Sequence, residues 1–216
     1  MTTEILNIDK GQCLTDVLPA IPANTIFDKT ITGCGATHSE IVNAARHSII
    51  IEPNIPVILG KKAEHPFLFA VYEGITKEDV KAYLAGEHDG YRKIITTPEG
   101  FDKKVLPAMH ELEIPVYKDY FLLFDECEKA IQDVGYRGDI YLPVEDFFKF
   151  ENKAMVSATP IVPSDPRFEE NGFKILKLVP TYDSRIELTL CTTNNTVAVM
   201  RKLLKRLENE TVCVFL

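Results

Sequence analysis

Tyr120-Phe121-Leu122-Leu123-Phe124 is an unbroken apolar run, and it ends on Asp125-Glu126-Cys127-Glu128. A sheet with one wet face needs apolar and polar residues in alternation, so such a run calls for a strand covered on both sides, as in a parallel sheet. The carboxylates then emerge at the strand's C-terminal end, where open α/β sheets hold their ligands. Two acids there suit a division of labour, one for a magnesium ion and one for an attacking water. A solvated helix N-terminus is the plainer reading, because carboxylates there favour the helix dipole.

Some thirty residues on, the short apolar segment Ala154-Met155-Val156 is followed by Ser157-Ala158-Thr159-Pro160. Its hydroxyls would share the same crevice, or the proline simply stops a strand before a turn. Upstream, Thr32-Gly33-Cys34-Gly35-Ala36-Thr37 has the glycines and the hydroxyl of a phosphate-binding loop, with alanine where such a loop carries lysine. Taken alone, a Gly-x-Gly-x-Thr is a common turn. Ile51-Glu52-Pro53-Asn54 follows the hydrophobic segment Ser48 to Ile51, and Thr97-Pro98-Glu99-Gly100 follows Tyr91 to Thr96. The latter is also an ordinary helix start, with Thr97 as cap and Pro98 at the first helical position.

In this order and spacing the stretches resemble the first RecA-like lobe of a superfamily 2 helicase of the DEAD/DEAH-box type, over residues 25 to 185. Thr30 to Thr37 resembles the phosphate loop, Asp125 to Glu128 the acidic tetrad with cysteine third, and Ser157 to Thr159 the Ser-Ala-Thr coupling motif. The resemblance implies an α/β P-loop NTPase fold, mainly parallel, with helices on both faces, and a nucleic-acid-dependent ATPase that uses ATP and Mg. It implies that Thr32, Gly33, Cys34, Gly35, Ala36 and Thr37 surround the phosphates, with the Thr37 hydroxyl and Asp125 on magnesium, the latter through water. Glu126 would polarise the attacking water, Ser157 and Thr159 would couple nucleotide state to movement, and Pro53, Asn54, Thr97, Pro98 and Gly100 would touch a nucleic-acid backbone. An adenine-reading element would fall before Thr25, where nothing distinctive stands.

Ala36 departs from the family, since the missing ammonium normally binds the terminal phosphates. Lys29, seven residues earlier, either reaches into the site as a substitute or is a strand-end surface lysine. Two functions stay open: a working ATPase with an unusual loop, supported by the Asp125-Glu126 pair, and a non-hydrolysing helicase-like scaffold or binding module, supported by Ala36. A kinase or other P-loop enzyme explains Ser157 to Thr159 less well.

A net charge of −8 bears on partners, because electrostatic nucleic-acid binding usually shows a basic stripe. Lys61-Lys62, Arg92-Lys93, Lys103-Lys104 and Arg201 to Arg206 read as solvated faces. Nucleic acid remains a partner, since a backbone can be gripped by hydroxyls. No stretch is long and apolar enough for a membrane helix, and Met1-Thr2-Thr3-Glu4 is no secretion signal, so the expected place is the cytoplasm. Cys13, Cys34, Cys127, Cys191 and Cys213 form no metal-ligand spacing and read as free thiols. Cys34, at a helix start, has either a lowered pKa or a packing role. The five histidines are scattered, and most read as surface residues.

The expected strands are Thr25 to Phe27, Ser48 to Ile51, Phe67 to Val71, Tyr91 to Thr96, Tyr120 to Phe124, Ala154 to Val156 and Phe173 to Val179. Helices are expected over Thr37 to Arg46, Lys77 to Ala85, Pro98 to Leu112, Glu126 to Asp133 and Val144 to Phe150, with loops at Gly135 to Asp139 and Pro160 to Pro166. Residues 1–24 read as an N-terminal extension, 25–185 as the lobe, and 186–216 as the linker and start of a second RecA-like lobe. A cap at Thr192 to Asn195, helical spacing of Val197, Met200, Leu203, Leu204 and Leu207, and the apolar Thr211 to Leu216 match how that lobe begins, which makes the chain a fragment. Alternatively the last strand joins the first lobe's own sheet.

Overall fold

The computed structural model describes residues 1–31, 33–126, 144–159, 163, 165–183 and 192–206. Met1–Asp183 and Ser184–Leu216 form separate compact units. The expectations at Glu126 to Asp133 beyond its first residue, at Gly135 to Asp139, at most of Pro160 to Pro166 and at Thr211 to Leu216 lie outside the described residues, as do Thr32, Cys127 and Glu128.

The first unit is built on strands β1 (Thr3–Ile8), β2 (Thr25–Asp28), β3 (His47–Ile51), β4 (Phe69–Val71), β5 (Lys93–Thr96), β6 (Tyr120–Asp125), β7 (Asn152–Ser157) and β8 (Lys174–Pro180). They form one sheet in the order β1-β8-β2-β7-β6-β3-β5-β4, and every pairing is parallel. The α/β class read from the sequence is the class observed.

Period-two alternation sorts the strand residues into two cores, one on each face. Ile49, Ile51, Leu122 and Phe124 pack on one face with Val80, Leu84, Phe101, Val105 and Met109. Ile50, Phe121, Leu123 and Val156 pack on the other with Leu14, Ala36, Ile41 and Ile58. Both covers are helical: α4 (Lys77–Ala85) and α5 (98–111) on the first face, α1 (Leu14–Val17), α2 (Ala36–Val42) and α3 (Ile55–Glu64) on the second. This double coverage is why β6 is buried at all six positions.

Helix α5 runs from Pro98–Gly100 through a π-helical turn, Phe101–Val105, into Leu106–Glu111. Pro107, near the start of the last piece, has no N–H to return to the preceding turn, which fits the wider turn before it. Shorter helices follow: α6 (Val116–Asp119), α7 (Val144–Lys149) and α8 (Arg167–Glu170).

Several elements were not expected from the sequence. Thr3–Ile8, read as an extension, is the edge strand β1 and pairs with β8 from Thr3 to Ile8. Its residues are mostly exposed, so an apolar signal is missing. Ile55–Glu64 is a helix despite Pro56, because proline is tolerated in the first helical turn. Lys93, read as part of a solvated face, is 3% exposed. His38, His47, His65 and His88 are half-buried rather than on the surface. In the second unit α9 (Thr196–Arg206) is capped by Asn195, whose Oδ1 accepts from the Ala198 N–H at 3.1 Å.

Candidate functional site

The C-terminal ends of β2, β7, β6, β3 and β5 lie side by side, and the sequence-flagged residues stand at these ends. Lys29 follows β2, Ser157 ends β7, Asp125 ends β6, Glu52 to Asn54 follow β3 and Thr97 follows β5.

At the centre, Asp125 is 2% exposed. Its Oδ2 accepts a hydrogen bond from the Thr37 hydroxyl, and its Oδ1 accepts from the Glu126 N–H at 3.0 Å. Lys29 Nζ lies 3.3 Å from that same Oδ1 and 2.6 Å from Glu126 Oε1. Burial works against the Lys29 charge, but the Asp125 and Glu126 carboxylates outweigh it and hold the ammonium protonated well above its ordinary range. At 8% exposure Lys29 is no surface residue, which overturns one of its two readings.

The glycine turn has the backbone that glycine makes easy: Gly33 and Gly35 have φ of 75° and 89°. Gly35 is the residue before α2 and Ala36 is its first, so the helix starts one residue ahead of the expected Thr37. The Cys34 carbonyl accepts from the Leu14 N–H at 2.9 Å, which ties the turn to α1. Cys34 itself is buried, and burial pushes its thiol pKa up, so the lowered value considered from its helix-start position does not hold.

Ser157 joins the site through its backbone, since its carbonyl accepts from the Lys29 N–H at 2.9 Å. Its Oγ accepts from the Thr159 N–H at 2.9 Å, and Thr159 is exposed. The nucleic-acid candidates are less open. Thr97 Oγ1 accepts from the Gly100 N–H at 3.0 Å as a helix cap, and Thr97, Pro98 and Gly100 are buried, whereas Pro53 and Asn54 are half-buried.

Glu52, quoted in the sequence only as part of a stretch, is a third carboxylate of this cluster. It is 2% exposed, and its Oε1 accepts from the backbone N–H and the side-chain amide of Asn54 at 2.8 and 2.7 Å. Burial first, and then the charge of Asp125, push its pKa up to about 7. An acid directly after an apolar strand was the available signal.

The residues present suit a magnesium ion of the kind that keeps most of its water. One hydroxyl and one carboxylate meet at Thr37 and Asp125, and among the described residues no group of three His, Cys, Asp or Glu side chains could form an all-protein cage. Two cavities, of about 710 and 430 Å³, lie elsewhere: one beside Gly86 to Gly90, the other lined by His47, Arg92 and Tyr120 at the N-terminal ends of β3, β5 and β6. Among the described residues no helix is long and apolar enough to cross a membrane.

Fold and site together define a parallel α/β domain with a glycine turn facing an acidic strand end. No protein-family model and no curated protein matches the chain. Among solved structures it is similar to the Hef helicase domain of Pyrococcus furiosus, with a TM-score of 0.48 and 14% identity over 79% of this chain. The chain spans 38% of that structure's length. A functional reading therefore rests on the geometry of the chain's own residues.

Proposed function

We propose that the chain is a RecA-like helicase lobe that binds ATP with magnesium and contributes half of a nucleic-acid groove. The observation that carries this is the hydrogen bond from Thr37, in the first turn after the glycine loop, to Asp125 at the end of the buried central strand. These residues are 88 positions apart, and a P-loop site needs that pair of groups together for its metal.

When bound, magnesium would neutralise charge on the phosphates. The chain's own residues have narrower tasks. Gly33 and Gly35, which lack a Cβ and so take positive φ easily, let the loop backbone curve around phosphate oxygens. Asp125 and Thr37 hold the metal side of the site. Glu126, one residue beyond the strand, would accept a proton from an attacking water. Pro53 and Asn54 present the neighbouring strand end to a nucleic-acid backbone, and Ser157, bonded to Lys29 through its carbonyl, links the nucleotide side to the Thr159 turn.

Calorimetric titration with ADP and with Mg-ATP tests the reading. The expected result is saturable Mg-ATP binding that weakens at least tenfold in Asp125→Ala. Equal affinity in the two proteins, or no binding by either, contradicts it. Ala36 favours a second reading, a helicase-like module that binds but does not turn nucleotide over. Hydrolysis stimulated by single-stranded nucleic acid would exclude that alternative.

A further inference from the structure

Position 36, where a phosphate loop of this type carries its ammonium group, holds a buried alanine. An ammonium nevertheless reaches the centre of the site, from a different part of the chain. Lys29 Nζ lies 3.3 Å from Asp125 Oδ1, while the Thr37 hydroxyl binds Oδ2 of that carboxylate. The lysine and the threonine thus converge on one acid from its two oxygens.

The backbone around Lys29 is held for this placement. Its N–H donates to the Ser157 carbonyl at 2.9 Å. The next residue, Thr30, takes a φ of 41°, a left-handed conformation that a β-branched residue adopts only when its surroundings enforce it. Here they do: the Thr30 hydroxyl donates to the Leu178 carbonyl at 2.5 Å, and its N–H donates to Asp28 Oδ1 at 3.2 Å. A surface lysine at a strand end would need none of these bonds.

We propose that Lys29 is the phosphate-binding lysine of this site, carried at the end of β2 instead of in the first turn of α2, and paired with Asp125 and Glu126 when no nucleotide is present. The proposal rests on the magnesium-nucleotide reading and deepens it. A buried structural ion pair would use Lys29 only to neutralise the two acids. A phosphate-binding lysine must also be replaceable by an ammonium placed at position 36.

The test is a binding cycle on the full chain with Mg-ATP: the parent, Lys29→Met, Ala36→Lys and Lys29→Met/Ala36→Lys, with each protein's thermal midpoint recorded. A charge-assisted hydrogen bond to phosphate sets the scale, so Lys29→Met should bind about ten- to a hundredfold more weakly. The double variant should return to within about threefold of the parent, and Ala36→Lys alone should gain less than about threefold because the ammonium is already supplied. Parental affinity in a folded Lys29→Met protein overturns the inference and leaves the nucleotide reading standing. Absence of nucleotide binding by the parent overturns both. If Lys29→Met does not fold, the single Ala36→Lys variant decides: a gain of tenfold or more means that the site lacked its ammonium, and Lys29 is then only structural.

Discussion

Lys29 Nζ lies 2.6 Å from Glu126 Oε1, across 97 positions of sequence. Glu126 has a φ of 50°, which turns the chain out of β6 directly after Asp125. Asp125 is enclosed, whereas the Glu126 side chain keeps 22% of its surface. Water can therefore reach Glu126 far more readily.

That asymmetry makes Glu126→Gln informative. The amide keeps the shape but cannot accept a proton, so single-turnover hydrolysis of Mg-ATP should fall by about a hundredfold or more. Affinity for Mg-ATP, measured in parallel by calorimetry, should stay within about threefold. An equal loss in both measurements would make Glu126 a binding group only.

Glu52 gives the fold a pH dependence of known sign. Its carboxyl titrates near 4.5 in the unfolded chain and near 7 in the fold, with burial the leading cause. Below 4.5 it is protonated in both states and takes nothing from stability. As the pH rises from 4.5 to 7 the unfolded chain ionises first, so the folded state loses stability, by about 3 kcal/mol in total, and the loss is constant above that window. Glu52→Gln keeps an acceptor for Asn54 and removes the ionisation. Urea unfolding at pH 5 and pH 8 should show the variant's advantage growing between the two values, and a constant difference would refute the assignment.

A second buried cluster lies toward the N-terminal ends of β3 and β5. Glu40, with 0% exposure, accepts from Arg46 and from the Ser48 hydroxyl, and Lys93 Nζ lies 3.5 Å from it. Burial lowers the Lys93 pKa to about 8 even with Glu40 opposing the shift. Glu40→Ala would leave Lys93 buried beside Arg46 without its acid, and should destabilise the domain by about 3–5 kcal/mol in denaturant unfolding. A loss under about 1 kcal/mol would mean that the cluster is solvated in solution.

Gly100 is fixed by close approach. A Cβ there would stand 2.5 Å from Thr96 Oγ1 and 3.2 Å from the Val71 carbonyl. Gly100→Ala should therefore cost about 1–3 kcal/mol, although alanine is the better helix former. Thermal denaturation checks this, and an unchanged or raised midpoint would show that the start of α5 can shift.

The central strands were legible in the sequence because burial on both faces leaves continuous apolar runs, as in Ile49 to Ile51 and Tyr120 to Phe124. The edge strand β1 was not, since five of its six residues remain partly or fully exposed and its pattern is that of any polar segment. Thr37 and Asp125 were singled out by local motif, and the structure brings them into hydrogen-bond contact. The ion pairs of Lys29 and Lys93 are not marked by any local motif, because their acids stand 97 residues later in one case and 53 residues earlier in the other. Glu52 lay between these cases, visible as an acid after a strand but without any sign of the charge it would face.

Backbone hydrogen exchange with and without Mg-ATP reports where nucleotide sits. Exchange should slow at Gly33 to Thr37 and at Asp125-Glu126, with little change at Gly86 to Arg92. Protection confined to the segments lining the two cavities at the other end of the sheet, or none at the glycine turn, would contradict the nucleotide reading.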